Sequence, residues 1–150
     1  DVNVLVSQVE GEYQERLAAC QLTLVTQPPA PGTVIRADSR LLSRVMDNLV
    51  SNICKYALPS TRVYVVSTLS REAVTISFKN VSRDELNISP DELMERFVRG
   101  DASRHTEGSG LGLSIARSLV QLQGGRFDLA IDADLFRADI TFPLSESAAS

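Results

Sequence analysis

Three alternate glycines open an apolar run late in the chain, and they form the pattern most typical of ligand chemistry. The run reads Gly108-Ser109-Gly110-Leu111-Gly112-Leu113. Alternating glycines allow positive φ angles and let backbone amides approach an anion without interference from a Cβ atom. A helix that follows such a loop adds its exposed N–H groups and the positive end of its dipole. The pattern therefore predicts a loop that binds a phosphate-bearing ligand.

Two common phosphate-binding motifs do not account for this loop. A dinucleotide-binding fingerprint follows a hydrophobic strand, but a polar stretch from Arg99 to Glu107 precedes Gly108. A Walker-type loop ends in Gly-Lys-Ser or Gly-Lys-Thr, and Gly112-Leu113-Ser114 contains no lysine. We therefore expect a polar lid that leads into a helix.

A second chemical pattern lies upstream, on a helix predicted from about Ser39 to Tyr56. At about 100° per residue, one side of this helix is an apolar stripe, formed by Leu42, Met46, Leu49 and Ile53. Another side carries Asn48, Asn52 and Lys55. Amide oxygens suit a hard cation such as Mg²⁺, which also takes substrate phosphates, and a lysine suits phosphate charge. The alternative is an ordinary solvated polar face.

Together, the two patterns resemble the ATP-binding domain of sensor histidine kinases of the GHKL type. The resemblance rests on Asn48 to Tyr56, on Gly108 to Leu113, and on Glu95 to Asp101, which looks like the segment leading into the ATP lid. It extends from Asp1 to about Pro143. The resemblance implies a catalytic domain over residues 1–144 and ATP with Mg²⁺ as cofactors, while the small and polar residues 145–150 predict a disordered tail.

The resemblance also implies a role for each matching residue. Asn52 would coordinate Mg²⁺, Asn48 would position the metal or its water, and Lys55 would contact phosphate. Asn48 and Lys55 are thus the catalytic candidates, in a reaction that depends mainly on positioning and charge neutralisation. Tyr56 would pack near the nucleotide, with simple core packing as the alternative. The other candidate ATP contacts are Asn80, Arg99, Arg104, Gly108, Ser109, Gly110, Leu111, Gly112 and Leu113.

The expected adenine end of this site departs from the family pattern. The family places Asp-x-Gly-x-Gly after a central strand, where this chain has Asn80-Val81-Ser82. Asn80 can still accept a hydrogen bond from the adenine amino group, but as a neutral group. Neutral hydrogen bonds contribute about 1 kcal/mol against about 1.5 to 3 kcal/mol for charge-assisted ones, so affinity would fall about tenfold. A glycine-threonine element expected near Asp134 to Phe136 is also absent.

Three functions remain open on these residues. The favoured one is a histidine kinase domain that presents the γ-phosphate of ATP to a histidine on an upstream dimerisation domain, with a response regulator as the partner of the full-length kinase. The second is a GHKL-type serine kinase. An ATP-hydrolysing clamp is disfavoured, because it needs a glutamate base where Asn48 stands. The third is an interaction module with a degenerate adenine pocket. His105 is interpreted as a lid residue, not a phosphoacceptor.

Composition limits the remaining possibilities. The chain has 150 residues, 43% of them hydrophobic, and a net charge of −4, which gives no electrostatic case for nucleic acid as a partner. No apolar stretch is long enough for a membrane segment and the start does not look like a signal peptide. The resemblance implies a cytoplasmic domain of a membrane-bound sensor. Cys20 and Cys54 are interpreted as small buried hydrophobic residues in a reducing compartment.

The predicted elements give a two-layer α/β sandwich, with a mixed and mostly antiparallel sheet covered on one face by helices. Helices are expected over Asp1 to Cys20, Ser39 to Tyr56, Ser89 to Phe97 and Gly110 to Gly124. Strands are expected over Leu22 to Val25, Val34 to Ile35, Arg62 to Leu69, Ala73 to Phe78, Phe127 to Ile131 and Phe136 to Phe142.

Overall fold

Five strands form one mixed sheet in the order β1-β2-β3-β5-β4. The computed structural model describes residues 1–29, 32–82 and 111–145. β1 runs parallel to β2, and the other neighbouring strands are antiparallel. The strands are β1 (Leu22–Gln27), β2 (Thr61–Leu69), β3 (Ala73–Val81), β4 (Arg126–Asp132) and β5 (Leu135–Pro143).

Three helices lie in the described ranges: α1 (Val2–Ala19), α2 (Ser39–Tyr56) and α3 (Leu111–Leu122). Aspartates begin the first two helices, since the Asp1 carboxylate accepts from the Asn3 backbone N–H at 2.8 Å and that of Asp38 accepts from Arg40 at 2.9 Å. Such N-caps satisfy amides that have no partner within the helix. Among the described residues, no helix combines the length and hydrophobicity that a membrane crossing requires.

One face of the sheet forms one side of the hydrophobic core. Side chains alternate across a strand, and β3 turns Val74, Ile76, Phe78 and Asn80 to the buried side. The register pairs Phe78 with Ala138 and Asn80 with Phe136 of β5, all of which are buried. The core continues into the inward stripes of the helices, so Asn80 is the polar end of an otherwise apolar row.

α2 and α3 pack against each other and are also joined at one end. Gln123, just past the end of α3, accepts a hydrogen bond at 2.7 Å from the backbone N–H of Asp38, the N-cap of α2. Its side-chain amide donates to the carbonyl of Leu119 at 2.9 Å. The end of α3 therefore meets the start of α2, so the two helices run antiparallel.

The predicted fold class is confirmed, while one predicted strand is absent and two strands are longer than expected, of which β1 continues past Val25 to Gln27. Val34 to Ile35 is not a strand, because Ile35 makes only an isolated bridge to Leu144. β3 continues past Phe78 to Val81, because β5 pairs with it over that length. The helix predicted over residues 89–97 and the polar lid lie outside the described residues. Residues 146–150 of the expected tail also lie outside them, while the Ser145 N–H donates to Val34 at 2.8 Å.

Candidate functional site

α2 supplies the polar face that the sequence predicts. The four residues of its apolar stripe, Leu42, Met46, Leu49 and Ile53, are all buried. Asn48, Asn52 and Lys55 are half-buried, so each keeps part of its surface accessible to solvent or a ligand. Amide oxygens and an ammonium on one helix face can hold a hydrated cation and the phosphates it carries.

Lys55 and Tyr56 form a pair at the end of α2. The Lys55 ammonium lies 5.4 Å from the centre of the Tyr56 ring, within the range of a cation–π contact. Both side chains are half-buried. A lysine in the last turn also interacts favourably with the negative end of the helix dipole. This part of the helix therefore combines a positive charge with an aromatic surface.

The end of α2 is attached to the end of β3. The C-cap residue Ala57 makes an isolated bridge to Ser82, and the Leu58 backbone N–H donates to the Val81 carbonyl at 2.8 Å. The Ser82 N–H in turn donates to the carbonyl of Asp134 at 2.6 Å. These bonds hold the end of α2 that carries Lys55 beside the end of β3 that carries Asn80.

Like Ser82, Asn80 is a buried polar residue at this end of the sheet. It is 3% exposed, and its Oδ1 atom has no hydrogen-bond partner within the described part of the chain. An unsatisfied buried acceptor costs about 1 to 3 kcal/mol. This oxygen is therefore an acceptor that a ligand carrying an N–H group could satisfy.

The start of α3 is the end of that helix away from the Gln123–Asp38 contact. α3 has 12 residues, which span about 18 Å at 1.5 Å per residue. Counted from the Gln123–Asp38 contact, the same number of residues along α2 reaches Val50, between Asn48 and Asn52. The first backbone amides of a helix have no partner within it. These amides include those of Leu111 and Gly112.

The remaining predicted contacts divide into two groups. The Leu113 side chain is buried in the core at 0% exposure, so its backbone is the part available to a ligand. The other residues lie outside the described ranges, namely Arg99, Arg104, Gly108, Ser109 and Gly110.

The outer side of α2 holds contacts that sequence reasoning missed. The Arg16 guanidinium of α1 pairs with the Asp47 carboxylate at 2.7 Å and donates to the Ser51 hydroxyl. The hydrogen bond to Asp47 raises the pKa of Arg16. The Cys54 thiol lies 3.9 Å from the Arg16 carbonyl. The spacing i, i+4, i+7 of the three α2 residues was a signal of a second contact face.

The two cysteines are free and half-buried, which corrects their interpretation as small buried hydrophobic residues. Burial, above all, and the neighbouring Cys20 raise the pKa of Cys54 to about 12.

Comparison with known proteins identifies the family. Residues 37–146 match the family described as histidine kinase-, DNA gyrase B- and HSP90-like ATPase. The chain belongs to this family. Membership implies an ATP-binding domain, and the matched range contains α2, β3 and α3, which carry the candidate site.

Curated members of this ATPase family that resemble the chain are sensor kinases. The chain is 38% identical over 95 residues to the sensor histidine kinase HprS of Escherichia coli, covering 61% of this chain and 20% of that protein. It is 30% identical over 131 residues to the sensor protein VanS of Enterococcus faecium, covering 84% and 33%. The chain thus spans about a fifth to a third of these relatives. The predicted resemblance to the ATP-binding domain of sensor histidine kinases is confirmed.

Solved structures show that the fold of this family member is that of histidine kinase catalytic domains. The catalytic domain of histidine kinase ThkA has a TM-score of 0.76 at 22% identity, covering 94% of this chain and 92% of that one. Full-length ShkA, solved in complex with AMPPNP, has a TM-score of 0.77 at 22% identity, covering 100% and 31%. The second match places the fold within a longer kinase.

Proposed function

We propose that this chain is the catalytic domain of a sensor histidine kinase, which binds Mg-ATP between α2, the start of α3 and the end of β3. The domain would comprise residues 1–144. It would present the γ-phosphate to a histidine on a separate dimerisation domain of the parent protein. The observation that carries the proposal is the buried Oδ1 of Asn80, which has no partner among the described residues and lies at the end of the sheet where α2 ends.

The base would occupy the Asn80 end of the site. The 6-amino group of adenine is a hydrogen-bond donor, and Asn80 Oδ1 is an acceptor whose partner is missing among the described residues. Binding would replace an unsatisfied buried acceptor with a hydrogen bond, which favours the complex beyond the value of an ordinary exposed bond. Tyr56, half-buried at the end of α2, would offer an aromatic surface to the nucleotide.

The phosphates would lie along α2 towards the start of α3. Asn52 would supply a Mg²⁺ ligand and Asn48 a contact to the metal or its water, because amide oxygens are hard donors. Lys55 would neutralise phosphate charge. The backbone amides of Leu111 and Gly112 would donate to phosphate, together with Gly108, Ser109, Gly110, Arg99 and Arg104 of the lid. Bound Mg²⁺ supplies charge neutralisation of the triphosphate.

The residue at position 48 supports transfer to a protein side chain over hydrolysis. An asparagine amide cannot take a proton from water as a general base. Positioning then dominates, and the acceptor histidine would come from the dimerisation domain, with a response regulator as the next acceptor. The parent would be a membrane-bound sensor with this domain in the cytoplasm, as the sensor kinases among its relatives suggest.

Calorimetric titration with a non-hydrolysable ATP analogue tests the nucleotide site. We expect a Kd between about 1 µM and 1 mM in the presence of Mg²⁺, and weaker binding when EDTA removes the metal. The exposed Gln14→Ala variant in α1 is the matched control and should bind like the native chain. No binding at millimolar analogue would contradict the proposal and favour an interaction module with a degenerate pocket.

The acceptor chemistry requires the full-length parent protein. Incubation with radiolabelled ATP should give an acid-labile phosphoprotein, as a phosphohistidine is, while the isolated domain should incorporate no label. Acid-stable phosphate on a serine would instead support the serine kinase alternative.

A further inference from the structure

The side chain of Asn80 carries two opposite hydrogen-bonding groups at the base end of the proposed site. Its Oδ1 atom accepts hydrogen bonds, whereas its Nδ2 group donates them. An ionised carboxylate of the same shape can only accept. The amide at position 80 therefore has a donor that the aspartate of the family pattern lacks.

No hydrogen bond to its oxygen holds this amide in one orientation. Asn80 is 3% exposed, and Oδ1 has no partner among the described residues. The last torsion of an asparagine side chain is broad and roughly two-fold. A half-turn therefore exchanges Oδ1 and Nδ2 with little change of shape, and a ligand at this position can contact either an acceptor or a donor.

The backbone N–H groups that meet the end of β3 are already used within the protein. The N–H of Leu58 donates to the carbonyl of Val81 at 2.8 Å. The N–H of Ser82 donates to the carbonyl of Asp134 at 2.6 Å. Both donors are satisfied without a ligand, so among these groups the amide of Asn80 determines which base is bound.

We propose that the site binds 6-oxo purine nucleotides, the class that includes guanine nucleotides, as well as adenine nucleotides. Adenine has an amino group at position 6, which donates to Oδ1, whereas guanine has a carbonyl oxygen there, which accepts from Nδ2 after the half-turn. Each complex contains one neutral hydrogen bond between the base and Asn80, so the two classes bind with similar affinity. The inference rests on the proposed function, because it concerns the base that the same site recognises.

The neutral state of position 80 is what makes both bases acceptable. A carboxylate there would place an acceptor against the 6-oxo group, which is also an acceptor. A buried site whose polar groups are left unpaired by a ligand rejects that ligand strongly. Asparagine removes this penalty, because the buried atom that meets the base can be an N–H donor. The departure from the family pattern thus broadens base recognition in addition to weakening the bond to adenine.

Calorimetric titration of the native chain with Mg²⁺ and ADP, IDP or GDP tests the proposal. These diphosphates have no γ-phosphate to transfer. IDP carries the 6-oxo group, and GDP adds a 2-amino group to it. We expect the three Kd values to agree within about fivefold. A Kd for IDP more than about fivefold above that for ADP would overturn the proposal, and weak binding of GDP alone would overturn it for guanine.

The Asn80→Asp variant tests whether this side chain contacts position 6 of the base. The carboxylate keeps the acceptor and removes the donor, so the Kd of IDP relative to that of ADP should rise at least about tenfold. Gln14→Ala is the matched control and should keep the native ratio. A folded Asn80→Asp variant with the native ratio would contradict the role of Asn80. Since the ratio in the native chain alone can overturn the proposal, a folding defect in the variant does not protect it.

Failure of this inference and failure of the proposed function give different results. If ADP binds and IDP does not, the nucleotide site stands and only the broad base recognition is overturned. If neither ADP nor the ATP analogue binds the native chain, the proposed function fails and the inference fails with it.

Discussion

The amide face of α2 and the end of β3 differ in how far their polar groups are exposed to solvent. Asn48, Asn52 and Lys55 are half-buried, so water can reach them when no ligand is bound. Asn80 is 3% exposed and its Oδ1 has no partner among the described residues. The first region tolerates an empty state at little cost, whereas the second loses free energy until a donor arrives. Metal and phosphate can therefore exchange with water, while recognition of the base depends on one buried atom.

The largest expected effect lies on the α2 side of this comparison. Asn52→Ala removes the proposed Mg²⁺ ligand, and a lost charge-assisted contact costs about 2 kcal/mol, or about 30-fold in affinity. Calorimetric titration with Mg²⁺ and the ATP analogue measures this change. In EDTA the variant and the native chain should differ much less, because the metal that Asn52 binds is absent.

The matched control for this variant is Gln14→Ala, which removes an exposed amide from α1. It should leave the Kd unchanged. If a folded Asn52→Ala variant bound Mg-ATP as tightly as the control, Asn52 would not belong to the site. The proposed difference between α2 and β3 would then be contradicted.

The second expected effect concerns Asn80 in β3 and is a gain in affinity for ATP. Asn80→Asp replaces a neutral acceptor with a charged one of the same shape, so ATP should bind about tenfold more tightly. The free chain should melt at a lower temperature, because a buried carboxylate without a partner is unfavourable. Titration and thermal unfolding measure the two changes. Unchanged affinity together with unchanged stability would show that the side chain at position 80 neither contacts the base nor is shielded from water.

A pH dependence of stability is expected from Cys54, for which no ligand role is proposed. The pKa of Cys54 is raised from 9.0 to about 12, so folding favours its protonated form. That contribution is fully present below pH 9 and is lost as the pH rises towards 12. Chemical unfolding of the reduced chain between these values should show a steeper loss of stability than Cys54→Ser shows. Equal slopes would contradict the burial of this thiol.

The smallest effect is expected at the Arg16–Asp47 pair. Its side chains are 41% and 56% exposed, and exposed ion pairs contribute about 0 to 1 kcal/mol. Arg16→Ala should therefore lower the free energy of unfolding by no more than about 1 kcal/mol and leave the affinity for ATP unchanged. Asp47 directly precedes Asn48, so a large loss of affinity would show that the Arg16–Asp47 contact positions Asn48.

Periodicity explains why the sequence predicted α2 well and the end of β3 less well. Helical spacing alone separates the buried stripe of Leu42 and Met46 from Asn48 and Asn52, and Asp38 marks the start. The extension of β3 to Val81 depends on pairing with β5, and the bridge from Ala57 to Ser82 joins distant segments. Local pattern carries no signal for such long-range contacts.

The most direct test of the two-ended site is an NMR titration of the side-chain amides with the ATP analogue and Mg²⁺. The account predicts that the amide signals of Asn52 and Asn80 shift with the same Kd, because one nucleotide contacts both ends, while that of Gln14 stays unchanged. If Asn52 shifts and Asn80 does not, or if both remain unchanged at millimolar analogue, the assignment of one nucleotide site to α2 and β3 is contradicted.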